Sequence, residues 1–557
     1  MSKRKIAIPL VKDLSSYSKE YLTSDVIAGI TVAILLIPQG MAYAYLAGMP
    51  PIYGLYGGLV PLIIYAIFGT SRQLSIGPVA ISALLVLAGV SQIAEPGSAE
   101  YIELTIITGL LIGLLQMILG VFKLGFLVNF ISHPVLAGFT SAAAVIIFIS
   151  QLRDVLGFSI PRFEHAYETL IYAVKNVGDT NLLSLAICLG AIISMSLLRR
   201  IHKSIPFALI VVVIGTLACA FLDLPSKGLA IVGAVPSGLP ALEIPNLTFD
   251  VIKKLLPTVL TVTLIGIVES LSIAKVMDSK HDYYNIQPNR ELFALGLSKF
   301  GGAFFNALPT SGSFTRSAIN NESGGRTGVS SLITAFLVLL TLLFFTSWFY
   351  YLPKAILAAI ILLAVKSLFD FKEAKFLWRT HKRDFSMMAT TFVVTLLLGI
   401  EFGVLAGVVL SIGMVLYRSS KPDLIILGHV PGTKNYRNIN RFEINEHALD
   451  KLILRFDEKI YFGNADYFKE SIRNLVNESD HQIKHLLIDA KTILEIDSSG
   501  IHALEEVLRF LKKENIRLYF CGAIGVTRDM LIKTGLHEAI GEENHFLSLH
   551  AAMETID

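Results

Sequence analysis

The sequence predicts a polytopic α-helical membrane protein with a small cytoplasmic α/β domain after its last span. Three observations predict it. Apolar residues fill 53% of the 557 positions and charged residues only 16%, with a mean hydropathy of +0.63, which suits a chain surrounded by lipid. The apolar residues collect into runs of roughly 20, the number a helix needs to cross a bilayer. After Tyr417 these runs stop, and short apolar strands alternate with amphipathic helix patterns.

Taken in order, the runs fall at about 26–46, 52–69, 75–94, 103–122, 134–151, 181–199, 206–222, 254–278, 290–307, 313–322, 328–350, 353–369, 384–400 and 402–418. The run at 313–322 is too short and polar to span as a plain helix and counts as a half-helix. Basic residues, which gather on the cytoplasmic side, check the count of fourteen. Lys3, Arg4, Lys5, Lys12 and Lys19 place residues 1–22 in the cytoplasm. Fourteen crossings then put inside the connections holding Arg199, Arg200, His202 and Lys203, those holding Lys280 and Arg290, and those holding Lys372, Lys375, Arg379, Lys382 and Arg383. The opposite connections, such as 92–100 and 348–351, are poor in Lys and Arg. The exception is 152–180, which carries Arg153, Arg162 and Lys175 among acidic residues. The basic, amphipathic start lacks the pattern of a cleaved signal peptide.

Two pairs of stretches suggest an internal repeat. Ser75-Ile76-Gly77-Pro78 opens the third span with a hydroxyl, a glycine and a proline, and reads as a helix start inside the membrane. Pro309 to Ser317 has the same character seven spans later. The fifth and twelfth spans both open on proline-led runs of small residues, at Pro134 and Pro353. Seven is odd, so halves 26–222 and 254–418 have opposite orientation, which is a seven-plus-seven inverted repeat with half-helices in spans three and ten. The membrane part covers 23–419, residues 420–437 read as a polar linker with Pro422, Pro431 and Gly432, and 438–557 form the α/β domain. Within it Leu452–Phe456, His485–Ile488 and Arg517–Cys521 read as strands, and Gly500–Lys512 as an amphipathic helix.

The stretch Pro309-Thr310-Ser311-Gly312-Ser313-Phe314-Thr315-Arg316-Ser317 cannot face hydrocarbon, because its backbone and its charge would go unsatisfied. Ser313 is a good N-cap for a helix starting near Phe314. Free N–H groups, the positive dipole end and Arg316 in the first turn together read as a buried anion site. The alternative is a solvent-facing loop whose arginine snorkels. Gln39, between Pro38 and Gly40, is able to donate to an anion or to make an interhelical bond. Tyr43 lies one turn on, on the same face, where core packing is its ordinary role. Glu269, in the eighth span within GIVESLSIAKVM, is costly there when ionised, so it reads as a proton carrier or cation ligand, or as one half of a static pair with Arg316. Glu401 and Lys275 lie nearer span ends and read as interfacial.

LIPQGMAYAYLAGMPPIYGLYGG followed by FGTSRQLSIGPVAISALL resembles the signature region of the sulfate permease (SulP) family of anion transporters. That family includes sulfate and bicarbonate transporters and animal anion exchangers. PTSGSFTRSAINNESGGRT resembles the family's tenth-span segment, and 438–557 its C-terminal STAS domain. The resemblance implies a core of spans one to four and eight to eleven, a gate of spans five to seven and twelve to fourteen, and a homodimer. It places the anion pocket on Gln39, Tyr43, Gly77, Val79, Ser313, Thr315 and Arg316, and a proton, or sodium in bicarbonate carriers, at Glu269. Val79 stands where animal exchangers often have phenylalanine, which implies a roomier pocket. ILEIDSSGIHAL resembles the turn of STAS domains and anti-sigma-factor antagonists in which Ser498 would be phosphorylated; a plain helix N-cap from Asp497 or Ser498 is the alternative.

The expected function is therefore proton-coupled uptake of a small oxyanion, sulfate first, by an elevator-type movement, with sodium-coupled bicarbonate symport or bicarbonate, dicarboxylate or chloride exchange as the alternative. A channel or a membrane-anchored signalling scaffold is a third reading. No nucleophile–base pair, metal cluster or nucleotide loop points to an enzyme, and no GxxxxGK[ST] motif points to ATP. Cys188, Cys219 and Cys521 are scattered, which suggests neither a disulfide framework nor a metal site. No cofactor and no nucleic acid partner are expected; the net charge is +3.

Overall fold

The computed structural model describes residues 8–15, 17–126, 132–161, 163, 165–201, 207–282, 284–441, 450–479 and 481–556. Lys3, Arg4, Lys5, Arg162, His202 and Lys203 lie outside the described residues, as do the side chains of Arg199, Arg200 and Glu401. The chain divides into two compact units, Met1–Ser411 and Ile412–Asp557.

Every predicted span in the first unit is helical along most of its length. The helices of the apolar runs are α1 (Lys19–Leu46), then α2 (Ile52–Gly57) and α3 (Val60–Phe68), which share the second run. After them come α4 (Ala80–Val90), α5 (Ala99–Val121), α6 (His133–Ser150), α7 (Leu182–Ile201), α8 (Phe207–Phe221), α9 (Phe249–Asp278) and α10 (Pro288–Ala303). The series closes with α11 (Phe314–Glu322), α12 (Val329–Leu340), α13 (Lys354–Val365), α14 (Lys382–Leu398) and α15 (Ile400–Ser420). Among the described residues, six helices are long and apolar enough to cross a membrane by length and composition. Side-chain caps set several starts: Ser18, Ser98 and Thr248 accept from the amides of Tyr21, Tyr101 and Val251 at 3.2, 3.1 and 3.4 Å. Gly48, at φ 75°, and Pro50-Pro51 stop α1.

Small residues let the helices touch through their backbones. A Cβ at position 54 would overlap the carbonyl oxygen of Gly40, so α1 and α2 cross only because both positions are glycine. A Cβ at position 296 would lie 2.6 Å from the carbonyl oxygen of Gly113, so α10 and α5 make a similar glycine-to-glycine approach. Lipid gives helices no hydrophobic reason to associate, and close packing of this kind takes its place.

Two short strands interrupt the helical pattern. β1 (Ile76–Gly77) pairs antiparallel with β2 (Ser311–Gly312), Ile76 opposite Gly312 and Gly77 opposite Ser311. The pairing shifts one expected boundary. Residues 75–77 are spent on β1, so α4 begins at Ala80 rather than at the Ser75–Pro78 turn, with Val79 at the N-cap and no side-chain cap. At the other arm α11 begins at Phe314, and Ser313 Oγ accepts from the Arg316 amide at 3.4 Å, as expected.

The second unit is built on a six-stranded sheet. Its members are β3 (Leu424–His429), β4 (Tyr436–Asn438), β5 (Lys451–Phe456), β6 (His485–Asp489), β7 (Arg517–Cys521) and β8 (His545–Phe546), in the order β4-β3-β5-β6-β7-β8. β5 to β8 run parallel, and β3 is antiparallel to both neighbours. Residues 420–437 are therefore no linker: they supply β3 and most of β4, because Leu424–Ile426 pair with β5 and Leu427 is buried despite the flanking prolines. Helices α16 (Ala465–Asn477) and α17 (Ser498–Lys513) cover the sheet, with Phe468, Ile472, Leu504 and Val507 buried against Leu454, Phe456, Leu486 and Ile488.

Candidate functional site

The site is assembled where β1 and β2 meet. Beyond the strand pairing, the Ser313 amide donates to the Ser75 carbonyl at 3.0 Å, and the Ser75 amide donates to Ser317 Oγ at 2.9 Å. α9 grips the second arm from the side. Ser270 Oγ accepts from the Gly312 amide at 2.9 Å, and Ser311 Oγ lies 3.1 Å from Ser270 Oγ and donates to Glu269 Oε2 at 3.4 Å. A Cβ on Gly312 would sit 3.2 Å from Ser270 Cα, so glycine is what admits α9 this closely.

Arg316 is fully buried at 0% exposure, which removes the snorkelling alternative. Its Nη1 donates to Gln39 Oε1 at 3.4 Å, while Nε and Nη2 have no hydrogen-bond partner among the described residues. The static pair with Glu269 is not formed, since that carboxylate bonds to Ser311 instead. Gly77 makes room for the guanidinium: a Cβ there would lie 3.1 Å from Nη2 and 2.9 Å from Leu36 Cδ1.

The other predicted residues are placed as follows. Tyr43 is buried on α1, one turn beyond Gln39. Val79 is buried at the N-cap of α4. Ser313 is the N-cap of α11, whereas Thr315 is exposed. Glu269 keeps a part of its surface accessible. Ser498 stands in the other unit as the exposed first residue of α17; the capping side chain there is Asp497, which accepts from the Gly500 amide at 2.8 Å.

Two family models match the chain: the sulfate permease family over residues 22–391 and the STAS domain over 441–552. The chain belongs to the sulfate permease family. Among relatives in this family, Sulfate transporter 4.1, chloroplastic, of Arabidopsis thaliana is 40% identical over 96% of this chain and 80% of its own length. A probable sulfate transporter of Mycobacterium tuberculosis is 31% identical over 98% of this chain and 97% of its own. The solved structure of the murine Solute Carrier 26 family member A9 anion transporter, in the inward-facing state, superposes with a TM-score of 0.90 at 26% identity, over 98% of this chain and 93% of that one.

Three residues near the site escaped the sequence reading, and Ser311 entered it only as part of the Pro309–Ser317 stretch. Ser270 is a small hydroxyl in apolar company, a pattern too common to single out. Lys299 and Gln116 gave a clearer signal, being polar groups in the middle of apolar runs. Lys299 is 4% exposed and donates to Gln116 Oε1 at 2.9 Å and to the Leu295 carbonyl at 3.4 Å. Two clefts lie apart from Arg316. One of about 410 Å³ is lined by Tyr45, Met49, Asp154 and Lys354, and one of about 1050 Å³ by Leu87, Ile146, His165 and Phe402.

Proposed function

We propose that this protein is a secondary active transporter of small oxyanions, sulfate first, which moves its substrate together with a proton. The observation that carries the reading is Arg316: a guanidinium with no exposed surface, two unpartnered donor nitrogens and a β1–β2 clasp beside it. Donors left unmatched in a buried place cost about 1–3 kcal/mol each, a cost that a bound oxyanion recovers through charge-assisted bonds. The names of the relatives, sulfate transporters in a plant and a bacterium, agree with that ligand.

In this mechanism the anion docks between the first turns of α4 and α11, whose amides point toward it, and bonds to Arg316 with Gln39 and Tyr43 at its side. Val79 and Ser313 shape the two helix starts, and Thr315 faces the approach. Glu269 takes up a proton as the anion arrives, which lowers the cost of moving the loaded site through the low-dielectric interior. The core then slides past the gate as an elevator, across fourteen crossings, with the N-terminus and the STAS domain in the cytoplasm and the protein a homodimer in the cell membrane. Ser498 is the residue of the STAS domain proposed as a phosphorylation site.

The test is uptake of labelled sulfate into proteoliposomes, with proton and sodium gradients imposed separately. Uptake driven by the proton gradient is expected. Uptake driven only by sodium would replace the proton in this scheme, and no anion uptake under either gradient would end the transporter reading.

A further inference from the structure

Lys299 is not used by the mechanism above, and it is buried nearly as deeply as Arg316. Among the described residues its Nζ donates to carbonyl oxygens, those of Gln116 and Leu295, which are acceptors that suit the ammonium form. Gln116 in turn keeps a buried Nε2 with no hydrogen-bond partner among the described residues. That nitrogen lies 3.9 Å from the point where a Cβ on Gly266 would stand, and Ser311 Oγ lies 3.6 Å from the same point. Gly266 therefore leaves a polar gap between Gln116, on the side of Lys299, and Ser311, on the side of Glu269. Two polar groups on the rim of one gap are placed for a bridging water to join them. The titratable groups in range of Glu269 are Arg316 of α11, Lys299 of α10 and Tyr43 of α1.

We propose that Lys299 is a positioning residue for charge, acting through Glu269 by way of Gln116 and Ser311, and that it sets the valence of the transported anion. The inference rests on the transporter reading. With Arg316 and Lys299 cationic and Glu269 ionised, the bare site carries one net positive charge. A divalent oxyanion brings it to one negative charge, and one proton on Glu269 makes it neutral. A monovalent anion makes it neutral with no proton. Charge left unbalanced is expensive to carry through the membrane interior, so neutral combinations move and charged ones do not. Without the lysine, even a protonated Glu269 cannot neutralise a divalent anion, whereas a monovalent anion with one proton is balanced.

The experiment compares full-length wild type, Lys299→Met and Lys299→Arg in proteoliposomes. It measures labelled sulfate and labelled chloride uptake across a range of pH. In Lys299→Met the ratio of sulfate to chloride uptake is expected to fall by roughly tenfold or more, and chloride uptake to become dependent on protons. Lys299→Arg restores the wild-type ratio. A folded Lys299→Met that keeps both the ratio and the pH profile of the wild type overturns the inference. Glu269→Gln tests the same balance with the lysine untouched: sulfate uptake loses its pH dependence and chloride uptake falls, and chloride uptake at the wild-type level would overturn the scheme even if Lys299→Met failed to assemble. Wild-type protein that transports neither anion refutes the transporter reading itself, a result distinct from any of these.

Discussion

Arg316 concentrates the chemistry of the site in one side chain. Arg316→Ala removes a buried charge together with its unmatched donors, so the fold gains rather than loses from the change. The expected result is a midpoint of thermal unfolding equal to or above that of the wild type, with oxyanion affinity reduced by at least about thirtyfold. Titration of sulfate into detergent-solubilised variant checks this, and wild-type affinity would remove the arginine from the site. Arg316→Lys should not restore binding, because a point charge does not reproduce the two-pronged grip of a guanidinium. Gly77 acts on the same group indirectly. In Gly77→Ala the new Cβ crowds Nη2 and Leu36 Cδ1, both ends of flexible side chains. Gly77 also lies at φ 157°, where a residue with a side chain is strained, so thermal stability falls together with sulfate affinity. The double variant Gly77→Ala, Leu36→Ala should recover part of it.

Elements in this molecule are positioned by glycine as much as by apolar burial. The α1–α2 crossing has no room for a single methyl group at Gly54, so Gly54→Ala is expected to destabilise the protein by roughly 2–4 kcal/mol. Gly190→Ala, at a helical position with nothing within 4 Å of a new Cβ, should be neutral or slightly stabilising, and thermal unfolding of the two variants side by side reads the contrast. The helices themselves were legible in the sequence because hydropathy counts residues, and a bilayer demands about 20 of them in a row. The break between α2 and α3 was not, since Gly58-Leu59 sits inside an unbroken apolar run. Strands β1 and β2 escaped because two residues are too few to show an alternation, and only the shared Ser, Gly and Pro content hinted that the arms belong together. β3 was concealed by Pro422 and Pro431, which flank a strand rather than mark a linker. Arg316 and Glu269 were legible because a charge among apolar neighbours is conspicuous. Lys299 carried the same signal, but its partners, Gln116 on α5 and the Leu295 carbonyl, become visible only once the helices are packed.

At the scale of the whole chain, all the candidate anion and coupling residues lie before Ser420, which makes the C-terminal unit separable in principle. The sheet decides where to cut. Truncation after Ser420 removes every strand of the unit and is expected to leave sulfate uptake intact. Truncation at 438 keeps β3 while deleting its neighbour β5, so an unpaired edge remains and the protein should aggregate. Size-exclusion chromatography followed by uptake separates the two outcomes; loss of transport in the monodisperse shorter form would mean that the C-terminal unit is needed for transport itself.

The clasp between β1 and β2 also governs how the protein is made. Ser75 finds its partner at Ser317, 242 residues further along the chain, so at ordinary ribosomal speeds the first arm waits roughly 10–50 s for the second to be synthesised. Throughout that interval its peptide groups are without the neighbours that later satisfy them, in the part of the nascent chain least able to tolerate it. An unpaired polar backbone is costly in lipid, so the first arm favours a protein-lined or water-lined place until the other half arrives.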